Sequence, residues 1–138
     1  MRKAFKHKVI YICIALFVII LIIYLFYPGP LTYEYKRSIH HEFYFEDGYV
    51  IFRDEIKVKN HSSDNLYFYM TADVSEDMGL VTEKTAAACK KDSLEKEQFF
   101  IKARSQQSYD VYFKIPKGEK ETKKDRLPPS KVIFEVVN

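Results

Sequence analysis

Tryptophan is absent from this 138-residue chain, and cysteine occurs only twice. The first absence removes the Cys…Trp…Cys signature of true immunoglobulin domains. The second leaves Cys89 as the one thiol outside an apolar run that contains Cys13, so an internal disulfide framework is excluded. A surplus of one charge sign is also missing from most of the chain. The formal net charge is +3, yet Arg2, Lys3, Lys6 and Lys8 alone supply +4, and the rest holds 18 basic against 19 acidic residues. The basic pI of 8.7 is therefore a terminal effect and no argument for nucleic acid. The length leaves no room for a multidomain enzyme, and an aromatic fraction of 16% argues against intrinsic disorder.

What is present begins with residues 9–27, 19 positions without a charge, 14 of them Leu, Ile, Phe or Val. At about 1.5 Å per residue they span roughly 28 Å, close to the about 30 Å of a bilayer core. Their side chains favour insertion by roughly 4–8 kcal/mol. A core helix of a soluble domain would keep a polar stripe, and none is visible. Tyr24 and Tyr27 fall at headgroup level, and Pro28-Gly29-Pro30 stops the helix. The pattern predicts a single transmembrane helix. Basic residues crowd its N-terminal side, which places that end in the cytoplasm and the rest outside. A cleaved signal peptide needs small residues at its cleavage site, and Leu25-Phe26-Tyr27-Pro28 offers none. Acylation of Cys13 would need small residues before it, where Tyr11 and Ile12 stand; it reads as an apolar side chain facing lipid.

Residues 31–138 alternate. The Asp47-Gly48 pair sits between two aromatic runs, and both types tolerate the positive φ of a type I′ turn, so a tight hairpin is expected. Its register pairs Phe45 with Val50 and Phe43 with Phe52, which places four large side chains on one face. Ile56 and Val58 continue that face, and Asp54 alone breaks it, for which a bulge or bend would account. Residues 60–65 are a turn cluster. Leu66, Phe68, Met70, Ala72 and Val74 then mark the cleanest strand. Phe99, Ile101 and Ala103 mark another, Tyr109, Val111, Phe113 and Ile115 a third, and Val132, Phe134 and Val136 the last. A strand over residues 31–37 is less strongly patterned. Residues 80–98 read both ways: the alanines and Lys/Glu content favour helix, but no apolar stripe at helical spacing accompanies them, and strand is preferred over 80–88. About seven short strands in some hundred residues predict an all-β fold, an antiparallel Ig-like β-sandwich preceded by one N-terminal transmembrane helix. The organisation expected is a cytoplasmic tail at 1–8, the membrane helix at 9–27, a linker or first strand at 28–38, and the extracytoplasmic domain at 39–138.

Three segments resemble the small membrane-anchored extracytoplasmic Ig-like domains of Gram-positive bacteria. They are the hairpin Ile56-Lys57-Val58-Lys59-Asn60 with its V-x-N-x-S turn leading to Leu66, the run Tyr109-Asp110-Val111-Tyr112-Phe113-Lys114-Ile115-Pro116, and the closing strand after Pro128-Pro129. The resemblance implies a surface-exposed sandwich with varied partners and brings no catalytic residues with it.

Several constellations invite a chemical reading, and each has a plainer one. Ser93-Leu94-Glu95-Lys96, Ser63-Asp64-Asn65 and Lys84-Thr85-Ala86 echo the three boxes of penicillin-recognising serine enzymes, but their order is wrong and the chain is too short for that fold. His40-His41 with His61 suggests a metal, yet adjacent strand residues point to opposite faces. Asp73, Glu76 and Asp77 miss the spacing of a calcium loop. Asn60-His61-Ser62 matches a glycosylation acceptor, relevant in a eukaryotic source. Cys89 reads as packing, with an intermolecular bridge as its alternative. The basic loop with Lys117, Lys120, Lys123 and Lys124 could meet an anionic wall polymer or lipid headgroups, although interleaved acids favour a merely solvated loop. Outward-facing Tyr67, Tyr69 and Tyr112 are candidate interface residues, tyrosine being enriched at hot spots.

The function expected is that of a non-catalytic, single-pass, membrane-anchored extracytoplasmic interaction module. It would hold lipid through residues 9–27 and a protein partner in a membrane or cell-envelope complex, with no nucleic acid, metal or cofactor. The alternative is a ligand- or peptide-binding sensor, or an immunity-type protective protein, at the membrane surface.

Overall fold

The computed structural model describes residues 2–27, 29–36, 42–75, 79–120 and 131–138. Helix α1 runs from Arg2 to Phe26 and therefore starts within the basic tail, ahead of the uncharged run. Its large apolar side chains from Val9 to Phe26 are all exposed, so among the described residues it packs against nothing else. The span Lys3–Phe26 is long and apolar enough to cross a membrane. An unpartnered N-terminal helix of this kind serves as a membrane anchor or a signal sequence.

The rest of the described chain is antiparallel sheet in eight strands: β1 (Leu31–Tyr35), β2 (Glu42–Glu46), β3 (Tyr49–Asn60), β4 (Leu66–Asp73), β5 (Thr85–Cys89), β6 (Phe99–Ile101), β7 (Gln106–Pro116) and β8 (Lys131–Val137). The hairpin forms as the turn chemistry demands. Asp47 and Gly48 take φ of 48° and 81°, and Phe45 pairs with Val50 and Phe43 with Phe52. One expectation about it needs correction. Val50 and Phe52 are buried, but Phe45 is 47% exposed, because the hairpin tip extends past the core. The Lys117 ammonium lies 4.8 Å from the Phe45 ring instead.

Asp54 also departs from expectation. β3 and β7 pair without interruption from Tyr49↔Pro116 to Lys59↔Gln106, so no bulge turns the carboxylate away. It points inward and is buried. On the opposite edge of β3 the partner changes at this point: β2 reaches Arg53 and β1 begins at Ile56. Asp54 thus sits at the junction of two short strands, near Tyr35, whose hydroxyl pKa is raised above the ordinary tyrosine value by burial first and by the Asp54 charge second.

Between residues 80 and 98 strand wins over helix. β5 pairs with β4 through Thr71↔Ala87 and its neighbours and with β7 through Ala88↔Phe113. Helix propensity amounts to tenths of a kcal/mol per residue, about what tertiary pairing routinely overrides. The small Ala86 and Ala88 side chains are both buried.

The pairing runs β1–β3–β7–β5–β4, with β2 beside β1 on the edge of β3, β6 beside β5 on the edge of β4, and β8 on the other edge of β4. The sheet curls into a nearly closed barrel around one core of Val50, Phe52, Ile56, Phe68, Met70 and Phe113, among others. Eleven large side chains in the described residues are almost wholly buried. At about 1.5–3 kcal/mol each, they exceed the about 2–5 kcal/mol that a native disulfide supplies. The fold can dispense with one.

Candidate interaction surfaces

The outer face of β4 carries the first surface. Tyr67 pairs across the sheet with Phe100 on β6 and with Val137 on β8. The Tyr67 and Phe100 rings lie 5.0 Å apart, yet Tyr67 stays 52% exposed, Phe100 36% and Val137 38%. Ile133, also exposed, lies further along β8. A cross-strand aromatic pair stabilises the sheet by about 0.5–1.5 kcal/mol, but here it leaves much of its apolar area in solvent. Contiguous exposed apolar rows of this sort mark contact sites more often than scattered residues do.

Tyr69, two positions along the same face, is occupied differently. Lys96 places its ammonium 4.1 Å from the Tyr69 ring and 3.1 Å from Glu135 Oε2, so this tyrosine is partly covered. Tyr112 lies elsewhere, on β7, with the Arg53 guanidinium 6.0 Å from its ring. β5 stands between β7 and β4, so the structure groups Tyr67 with Tyr69 and separates both from Tyr112.

Lys117 and Lys120 belong to a ribbon in which residues 79–82 run against 116–120. Thr82 N–H donates to the Pro116 carbonyl, Gly118 N–H to that of Leu80, and Lys120 N–H to that of Gly79. Lys123 and Lys124 lie outside the described residues. This ribbon sits beside the start of β3, while the chain leaving α1 meets the far end of that strand, where His61 N–H donates to the Pro30 carbonyl at 2.8 Å. β3 is 12 residues long, which separates the basic ribbon from the helix junction by roughly 35 Å at about 3.3 Å per residue.

The end next to the helix is built on Asn60. Its side-chain amide donates to the carbonyls of Asp64 and Lys102, and its oxygen accepts from the Ser62 N–H and hydroxyl. Asn65 Oδ1 accepts from Ala103 N–H. The turn cluster at 60–65 is thereby locked to the turn at 102–105.

The remaining candidates are absorbed by local structure. Ser93 Oγ accepts from Glu95 N–H at 3.1 Å, while Lys96 is engaged with Glu135. His61 Nε2 lies 2.7 Å from Thr32 Oγ1, and His40 and His41 lie outside the described residues. Asp73 Oδ1 accepts from Ser75 N–H, and hydrogen bonding from the Ser75 side chain, with this main-chain bond added, holds the Asp73 carboxyl below the usual range; Glu76 and Asp77 are outside the described residues. Cys89 is buried, its thiol donates to the Tyr112 carbonyl at 3.5 Å, and burial pushes the thiol pKa up. Low thiolate character and burial make it unreactive. Among the described residues no three His, Cys, Asp or Glu side chains gather as a metal site.

Comparisons with known proteins returned nothing. No family model, no curated protein and no solved structure matches this chain. The surfaces must speak for themselves. One of them was illegible in the sequence: an apolar cleft between β1 and β8, lined by Leu31, Tyr33, Val132, Phe134 and Val136. Its walls were visible as two alternating runs, but their meeting depends on how the sheet closes.

Proposed function

We propose that the chain is a non-catalytic, single-pass membrane protein whose extracytoplasmic Ig-like domain binds a protein partner within a membrane or envelope complex. α1 is the anchor, with Arg2, Lys3, Lys6 and Lys8 on the cytoplasmic side. The short connection from Phe26 to Leu31, bonded to the domain at Pro30, supports an anchor because the segment after the helix is part of the fold. The observation that carries the binding reading is the exposed row Phe100–Tyr67–Val137. It presents two aromatic rings set against each other and a branched aliphatic side chain, all left partly in solvent, the composition of an interface centre. The distance of the Lys117–Lys120 ribbon from the helix junction favours an anionic polymer beyond the membrane over headgroups as its contact.

The test is site-specific photo-crosslinking of the full-length chain in native membranes, with the photoreactive residue at Tyr67 in one sample and at exposed Lys84 in another. A discrete adduct from position 67 that is absent at position 84 is the expected result, and Phe100→Ala should diminish it. Identical patterns at both positions would refute the interface.

A further inference from the structure

Two strand edges face each other across the seam that keeps the barrel from closing, that of β1 and that of β8. Their main-chain directions follow from three hydrogen bonds. The Pro30 carbonyl accepts from His61, and Lys36 N–H donates to Glu55, so the even-numbered residues of β1 turn their main chain toward β3. Leu31 and Tyr33 therefore turn theirs toward the seam, by the period of two that a strand imposes. On β8, Val132 N–H leaves β4 and donates to the Tyr33 hydroxyl at 3.0 Å. Phe134 and Val136 direct their N–H and C=O the same way. Among the described residues no strand pairs with either edge. Between them lies a cleft of about 600 Å³ in which Lys131 is the single charged residue among the described lining residues.

We propose that this seam accepts an extended segment of a partner protein as an added strand, antiparallel to β8 and parallel to β1. The occupant follows from the chemistry of the walls. A lipid chain or an apolar small molecule would cover main-chain N–H and C=O groups without bonding them, at about 1–3 kcal/mol for each group left unsatisfied. An extended backbone matches their spacing. A second copy of this chain fits poorly: its β1 is held by β3 and its β8 by β4, so neither can enter a seam that offers an edge on each side.

Charge narrows the segment further. Lys131 stands at the end of the cleft where the C-terminus of a strand antiparallel to β8 arrives; its cross-strand neighbour Asp73 feels its charge, but no carboxylate of the described residues is in ion-pair contact with it. The segment that fits has apolar residues at alternate positions and acidic residues near its C-terminal end.

The probe is a nine-residue synthetic peptide alternating valine with threonine and ending in two glutamates, added to the full-length protein in detergent micelles. Its controls are a scrambled peptide and one N-methylated at alternate residues. Hydrogen exchange of the Phe134 and Val136 amides is read with and without peptide. Both amides should exchange quickly in the free protein and slow by about tenfold or more when the alternating peptide binds. Neither control should slow them. Lys131→Glu should weaken binding about fivefold. Val136→Pro removes a donor aimed at the seam while sparing the bonds to β4, as an edge strand permits, and should abolish protection. Should that variant fail to fold, the Lys131→Glu and N-methyl arms decide the matter. Amides already protected in the free protein, or no protection at about 1 mM peptide, where even weak binding registers, would overturn the proposal. Loss of the Tyr67 adduct with the seam still binding peptide would refute the outer-face reading alone.

Discussion

The hydroxyl of Tyr33 accepts a hydrogen bond from the main-chain N–H of Val132 at 3.0 Å, across 99 residues of sequence. The first and last strands are joined by a side chain where a closed barrel would have a ladder. The Tyr33 ring also meets Tyr35 and Phe134 edge-on, at centroid distances of 5.6 and 5.7 Å. Tyr33→Phe keeps these ring contacts and loses only the hydroxyl. It should destabilise the domain by about 1 kcal/mol, measured by urea unfolding of the full chain in detergent. A loss of several kcal/mol would mean that the hydroxyl holds the seam to an extent one hydrogen bond does not explain.

Asn60 is 1% exposed and makes four side-chain hydrogen bonds. Removing it takes four bonds from the turn and leaves the Lys102 carbonyl and the Ser62 N–H without the side chain that ties them together, although Ser62 Oγ keeps its bond to the Asp64 carbonyl. Asn60→Ala should therefore cost about 2–4 kcal/mol and lower the thermal midpoint accordingly. Substitution of the nearby exposed Ser63 serves as the neutral control. Equal midpoints for the two variants would show that the turn is held by its backbone alone.

Two glycines with positive φ should respond differently to alanine. Gly48, at φ 81°, has open space around a new Cβ, so Gly48→Ala carries only the conformational cost, about 1–2 kcal/mol. Gly79, at φ 102°, would bring its Cβ within 2.6 Å of the Lys120 side chain. Gly79→Ala should cost more, and Lys120→Ala in the same chain should recover part of the difference. Paired denaturation curves of the three variants provide the check.

Alkaline pH should loosen the domain through two tyrosines. Burial pushes the Tyr109 hydroxyl, which donates to the Phe100 carbonyl, up to about 12, and Tyr35 is raised as well. A phenol whose folded pKa exceeds its unfolded value binds its proton more tightly in the folded state. Its stabilisation is fully present below pH 10 and is lost as the pH rises through the folded value. Stability should fall from about pH 10 to 12, and Tyr109→Phe should flatten that fall. Phenolate absorbance followed alongside unfolding tests this, and an unchanged slope in the variant would remove Tyr109 from the account.

Much of this molecule was legible residue by residue. The 19-residue apolar run marks a helix able to enter a membrane, because nothing in a small domain could cover it on all sides. The Asp47-Gly48 turn and its register follow from which residues tolerate positive φ. The inward sets of β4, β7 and β8 follow from a period of two. These are local properties, set by sterics and by the partition of side chains between water and an apolar phase.

The tertiary structure decided what depends on contacts distant in sequence. Asp54 looked like a bulge but proved to be a buried residue at a strand junction, because its environment comes from β1, β2 and β7. Phe45 had the pattern of a core residue, yet it lies beyond the end of the core. Of three outward tyrosines, Tyr67 is open, Tyr69 is covered by Lys96 and Tyr112 lies on β7, beyond β5, since alternation assigns a face but not its neighbours. The seam between β1 and β8 exists only because the sheet curls until its two edges meet, and no local pattern encodes which edges those are.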